Sequence, residues 1–161
     1  MKVHQVILKK TEAFLKRHLG NKLNIAIEKY DDGYKETHLS ITDTDFRISC
    51  DDRELTIGNG FNHQHFNPEY DDINEIIEIL LNSLTKRKRI TEYYKSKFHY
   101  KTKAEIESAN GEFSELSTSM TWLFPFWKKT KEKVIIEKNI IDQKLIEQEI
   151  EEIKNYVQQF V

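Results

Sequence analysis

His63-Gln64-His65 is the sharpest chemical signal in the chain. On extended backbone, side chains two apart point to the same side, so both imidazoles would face one way, as a metal site requires. Two histidines do not complete a site. A third ligand would have to come from elsewhere, with His38, His99 and Glu69 as the candidates. The neighbouring Phe61 and Phe66 favour a structural role, in which a loop after Gly58-Asn59-Gly60 caps the core and the histidines bond to backbone. No Ser or Cys lies at a nucleophile elbow, and no carboxylate spacing marks a known mechanism. Cys50 is the only cysteine, which excludes an intrachain disulfide and fits a reducing compartment. It reads as an ordinary semi-buried thiol.

Charge supplies two further candidates. Asp31, Asp32, Asp43, Asp45, Asp51, Asp52 and Glu54 fall in turn-like segments, where Asp is a frequent turn former. Turns alternate between the two ends of a meander. Asp31/Asp32 and Asp51/Asp52 would therefore share one end, with Asp43/Asp45 at the other. The functional reading is an acidic rim, including Glu54, that meets a basic protein. The basic run 86–89 continues into Lys95, Lys97, Lys101 and Lys103, interleaved with Tyr93 and His99. Such a stripe can bind single-stranded nucleic acid. Glu92, Glu105 and Glu107 dilute it, and the formal net charge is -2, which argues against a nucleic-acid partner.

The elements that must position these residues follow from periodicity. From Ile90 to Glu107 the apolar or small residues (Ile90, Tyr94, Phe98, Tyr100, Ala104, Ile106) fall on even positions, the mark of a strand with one buried face. Asn110-Gly111 predicts a tight hairpin turn. The return arm places Leu116, Thr118, Met120, Trp122 and Phe124 on one face, with a phase defect between Phe113 and Leu116 that needs an extra residue. Unbroken, the first arm would run roughly 60 Å, so a twist, a bulge or fraying is expected. The rest of the chain is expected to pack on its even face. Trp122, Phe124 and Phe126 are predicted to enter the core, leaving Trp127 exposed as an interface anchor.

Elsewhere, residues 2–19 read as an amphipathic helix stopped by Gly20. Four short strands at about ten-residue spacing follow, built on Leu23/Ile25/Ile27, Leu39/Ile41, Phe46/Ile48/Cys50 and Leu55/Ile57. Asp72 and Glu75 have capping-box spacing before a second helix. Its following basic residues, 86–89, suit the negative end of the helix dipole. Val134, Ile135 and Ile136 form a last strand, and residues 142–160 a closing helix packed on the protein's own sheet. The sum is one α+β domain over residues 1–161, with a mostly antiparallel sheet of about six or seven strands. N-terminal, central and C-terminal helices are expected on one face. No leader-like or membrane-spanning stretch appears. The expectation is a cytoplasmic, non-enzymatic chain with no cofactor and no membrane contact.

The Gly58–Phe66 segment with its HQHF motif, the helix after it, and the strands TEYYKSKFHYKT and TWLFPFWKKT resemble small single-domain bacterial immunity proteins that neutralise polymorphic toxins. The resemblance spans roughly residues 46 to 135. It implies an immunity or antitoxin-like inhibitor that binds one toxin domain and carries no catalytic residues. Asp31, Asp32, Asp51, Asp52, Glu54 and Trp127 are the candidate interface. A metal-dependent enzyme using His63 and His65, and a nucleic-acid binder using the basic strand, are the alternatives.

Overall fold

A computed structural model describes residues 2–60, 62–67, 69–108 and 110–158. Phe61, expected over the core, and Phe160, expected on the last apolar stripe, lie outside them. The chain is α+β and divides into two compact units, residues 1–83 with 143–161, and residues 84–142. Two antiparallel sheets, of five and four strands, replace the single sheet of six or seven strands that periodicity suggested.

In the first unit, α1 (Val3–Leu19) ends at Gly20, whose φ of 56° is left-handed backbone that glycine adopts without strain. A meander follows in chain order: β1 (Leu23–Lys29), β2 (Lys35–Ile41), β3 (Phe46–Cys50), β4 (Leu55–Asn59) and β5 (Asn62–Phe66). Alternation buries Leu39, Ile41, Phe46, Ile48, Cys50, Leu55, Ile57 and Phe66 on one face. Helix α1 contributes Val6, Ile7, Phe14 and Leu15 to the core and contacts β1, β3 and β4. The core of the first unit is therefore built without the 90–124 hairpin, contrary to the expectation that everything packs on it. Strand β1 is mostly exposed, and Ile25 and Ile27 stand open at the sheet edge.

Helix α2 (Ile73–Thr85) is capped by Asp72, whose carboxylate accepts from the Asn74 N–H at 2.8 Å. Helix α3 (Glu147–Gln158) docks on α1. Glu149 takes His18 Nε2 at 3.0 Å and Arg17 Nη1 at 2.9 Å, and Lys10 lies over the Tyr156 ring.

The second unit holds β6 (Lys88–Lys95), β7 (Phe98–Glu107), β8 (Phe113–Met120) and β9 (Thr130–Glu137), in the order β8-β7-β6-β9. The long strand expected over 90–107 is two strands joined at Ser96-Lys97, with Ser96 at a φ of 61°. Its period-two pattern survives the turn for a reason of parity. Lys95 pairs with Phe98, which switches the alternation, and the bulge opposite Tyr93 and Tyr94 switches it back. A second register shift, beside Ala104 and Glu105, supplies the extra residue that the Phe113–Leu116 phase defect required. The Asn110-Gly111 turn is wider than a two-residue hairpin: Ser108 N–H donates to Glu112 O at 2.7 Å, with Gly111 at a φ of 82°.

Two of the basic residues after α2, Arg87 and Arg89, serve strand pairing. Arg89 grips Glu105 through both carboxylate oxygens at 2.7 and 2.8 Å, and Lys103 adds a third contact at 2.9 Å. Arg87 makes the same two-pronged contact with Glu107. Glu105 is only 5% exposed, and these hydrogen bonds from Arg89 and Lys103 hold its pKa down to about 2.

A carboxyl whose pKa is lowered on folding adds stability above its unfolded value, lost as pH falls through the folded one. Glu105→Gln is therefore expected to lower stability by about 1 kcal/mol at neutral pH. The gap to wild type should close between about pH 4.5 and 2. Urea unfolding at both ends of that range checks it, and a gap that persists in acid would contradict the assignment.

Candidate acidic and histidine cleft

Burying one face of the five-stranded sheet turns every alternate residue to the other. Register then decides which of these meet. One row across the strands reads His38, Ser49, Thr56, His65, and the next reads Ser40, Arg47, Gly58, His63. Glu28 pairs with Glu36 at the end of the sheet, where the β3–β4 turn brings Asp51 and Glu54. An open cavity of about 350 Å3 lies here, and its lining includes Tyr34, Glu36, His38, Asp51, Glu54 and His65, with Arg47 and His63. Three carboxylates face a single arginine, so the cleft is acidic.

Asp51 organises this end. Its Oδ1 accepts from the backbone N–H groups of Arg53 at 2.6 Å and Glu54 at 2.7 Å, and its Oδ2 accepts from the Tyr34 hydroxyl at 2.7 Å. Burial works to raise the Asp51 pKa, but the Tyr34 bond and the two backbone donors outweigh it and hold the carboxyl below its usual range. The same bond, with burial behind it, pushes the Tyr34 phenol well up. The start of α1 grips this turn as well, with Lys2 Nζ on Asp52 O at 2.8 Å and His4 Nε2 3.1 Å from Asp51 O.

The turns carrying Asp31/Asp32 and Asp51/Asp52 do lie at one end of the meander, and the Tyr34–Asp51 bond joins them. Asp32 caps its own turn, accepting from the Tyr34 N–H at 2.9 Å, while Asp31 and Asp52 are exposed. Asp45 sits at the opposite end, its carbonyl accepting from Gly60. Glu54 is held by His65, Nδ1 to Oε1 at 2.7 Å, and Thr56 Oγ1 lies 3.1 Å from the same nitrogen.

His63 and His65 share one face as expected, edge to face with ring centroids 5.0 Å apart, and both are exposed. They do not cap the core, although Phe66 is buried. Of the proposed third ligands, His38 shares the cleft but stands three strands from His65, roughly 14 Å at the usual strand spacing. Glu69 lines a separate cavity with Lys2, His4 and Arg53. His99 belongs to the second unit, where Nε2 lies 2.8 Å from Thr102 Oγ1. Among the described residues no group of three or more His, Cys, Asp or Glu side chains is disposed to hold a metal. Alternation with the buried residues of β2 and β3 turns His38, Ser40, Arg47 and Ser49 outward. Tyr34, Glu36 and Thr56 join the site only through register.

His38 is packed against charge without a hydrogen bond. Its Nε2 is shielded from solvent, without a hydrogen-bond partner, and lies 3.9 Å from Glu28 Oε2 and 3.8 Å from Glu36 Oε2. Cys50 is fully buried on the other face, and burial together with Asp51, Asp52 and Glu36 pushes its thiol up to about 12. It is a protonated core residue, not a nucleophile.

The second-unit candidates fare differently. Lys103 is engaged by Glu105, Lys101 lies over Tyr93 and Lys95 over Tyr100, so the basic stripe is largely occupied within its own sheet. Glu92 takes Lys133 at 3.1 Å. Trp127 is exposed, but so are Trp122 and Phe126, which were expected in the core. Strand β8 stops at Met120, so alternation no longer governs them.

Asp51→Ala strands three donors and is expected to cost about 2 kcal/mol, against about 1 for Tyr34→Phe, by urea unfolding. Because the Asp51 pKa is lowered, its contribution should be present above about pH 4 and fade as pH falls below that. Cys50 should resist iodoacetamide in the native chain at pH 8 and react on unfolding, read by mass spectrometry; rapid native alkylation would refute its burial. Comparisons with protein-family models, with curated proteins and with solved structures find no match.

Proposed function

We propose that this chain is a non-enzymatic protein-binding module whose acidic sheet end recognises a basic surface on its partner. The observation that carries the proposal is the gathering of Asp31, Asp32, Glu36, Asp51, Asp52 and Glu54 around one end of a sheet. That end is stiffened by the Asp51 turn and by α1. A rigid, like-charged rim speeds encounter with an oppositely charged protein and rejects acidic ones. The inert Cys50, and a His65 already held by Glu54, support binding over catalysis. In its finer form, suggested by the HQHF segment and the aromatic stretches 91–102 and 121–130, the partner is a toxin domain and the chain is its immunity-type inhibitor.

Asp31 and Asp52 offer a clean test, because both are exposed at the rim. Asp31→Lys with Asp52→Lys is expected to slow association with the captured partner by about tenfold or more at low salt. The deficit should shrink as salt rises. Capture from native lysate identifies the partner, surface plasmon resonance measures the rate, and co-expression with a toxin-like partner tests protection of cells. Unchanged association in the double variant would sink the acidic-rim reading.

A further inference from the structure

The second unit carries a surface that the acidic cleft does not explain. Between β8 and β9 the chain runs Trp122-Leu123-Phe124-Pro125-Phe126-Trp127-Lys128-Lys129. Trp122 is 88% exposed, Leu123 86%, Phe126 75% and Trp127 73%. Leaving four large apolar side chains in water is unfavourable, and contiguous exposed apolar surface marks an interaction site.

The loop is built, not frayed. Thr121 N–H donates to Tyr100 O at 2.9 Å, and Phe124 stacks on the Tyr100 ring with centroids 4.5 Å apart. Lys128 N–H closes a turn onto Pro125 O at 3.0 Å. Phe124 and Pro125 thus form a half-buried root, and the flanking pairs Trp122/Leu123 and Phe126/Trp127 are turned outward. Phe126 and Trp127 brace one another edge to face at 5.2 Å.

Charge is arranged around this tip with one sign. No acidic residue occurs between Glu115 and Glu132, whereas Lys128, Lys129 and Lys131 follow the aromatics directly. Strand pairing places Lys131 opposite Tyr94 and Thr130 opposite Lys95, so the Ser96-Lys97 turn brings further lysine to the same end of this sheet.

We propose that this loop docks the protein on an anionic lipid surface, with the aromatic tip at the depth of the headgroups and the lysines against them. An uninterrupted apolar hexapeptide backed by a lysine collar has the same order as hydrocarbon followed by anionic headgroups. Tryptophan favours that interface, and cationic neighbours add electrostatic attraction. The alternatives fit less well. A strand-binding site for nucleic acid sets stacking rings in a basic groove, whereas this tip stands exposed and Leu123 offers no ring to stack on. A second copy would bring its own lysine collar against this one. No helix among the described residues is long and apolar enough to cross a membrane, but surface docking needs none. The sequence-based expectation of no membrane contact rests on the lack of a spanning segment and on a net charge of -2, and neither describes a local lysine collar beside an exposed apolar tip.

The two tryptophans of the chain are Trp122 and Trp127, so tryptophan emission, excited beyond the tyrosine absorption band, reports this loop alone. The full chain would be titrated with vesicles of phosphatidylcholine and of phosphatidylcholine mixed with phosphatidylglycerol. Mixed vesicles are expected to shift emission to shorter wavelength, protect it from acrylamide and co-sediment the protein, reversibly with salt. Leu123→Asp with Phe126→Asp should abolish all three. Lys128→Gln with Lys129→Gln should weaken binding about tenfold or more. Both pairs are exposed, and thermal melting matched to wild type confirms folding. No shift on mixed vesicles overturns the proposal, as does an equal, salt-independent shift on neutral vesicles. A shift produced instead by a single-stranded oligonucleotide, or by raising protein concentration alone, reassigns the loop. None of these outcomes touches the acidic cleft, which lies in the other unit.

Discussion

The first unit follows from one constraint: a five-stranded meander must bury one face, and α1 covers it. Leu39, Ile48, Leu55 and Phe46 are turned toward α1's Val6, Ile7, Phe14 and Leu15, and all are almost fully buried. Each such strand must then present its intervening residues outward. Glu36, His38, Arg47, Ser49, Thr56 and His65 meet on the open face because of that demand. The cleft is the polar remainder of the core.

Polar chemistry then makes the remainder specific. Asp51 satisfies two turn amides and the Tyr34 hydroxyl, and so ties two turns of the sheet together. Lys2 and His4 extend the same turn to the first residues of α1. Such a rim holds its carboxylates in fixed positions, which suits recognition of a charged surface better than a flexible acidic tail would.

The second unit solves its charge problem internally. Arg87, Arg89 and Lys103 neutralise Glu105 and Glu107 across β6 and β7, and the aromatic rings Tyr93 and Tyr100 shelter Lys101 and Lys95. What stays unmatched is the apolar tip at 122–127 and the lysines after it. The two units thus present opposite kinds of surface, one acidic and polar, the other aromatic and basic.

Much of this was legible in the chain itself. The α1 stripe, its stop at Gly20, the four short strands and the Asp72 cap are local: spacing and backbone preference decide them within a few residues. So is the phase defect before Leu116, which demanded a bulge wherever β8 paired. The failures are all non-local. Ser96-Lys97 carries no Gly, Pro, Asn or Asp to announce a break, only a lone Ser, and the compensating bulge hid it by restoring the alternation. Trp122 and Phe126 kept a strand's spacing after the strand had ended, so their exposure depended on where β8 lost its partner. Sequence alone determined the α+β class, the inward and outward residues of β2, β3 and β4, and the gathering of Asp31/Asp32 with Asp51/Asp52, because these need only periodicity and the alternation of turns. Only tertiary structure decided that there are two sheets and that His38 stands too far from His65 to share a ligand. It also decided that the aromatic run lies in water. Register and burial are properties of pairing between distant segments, and no local pattern encodes them.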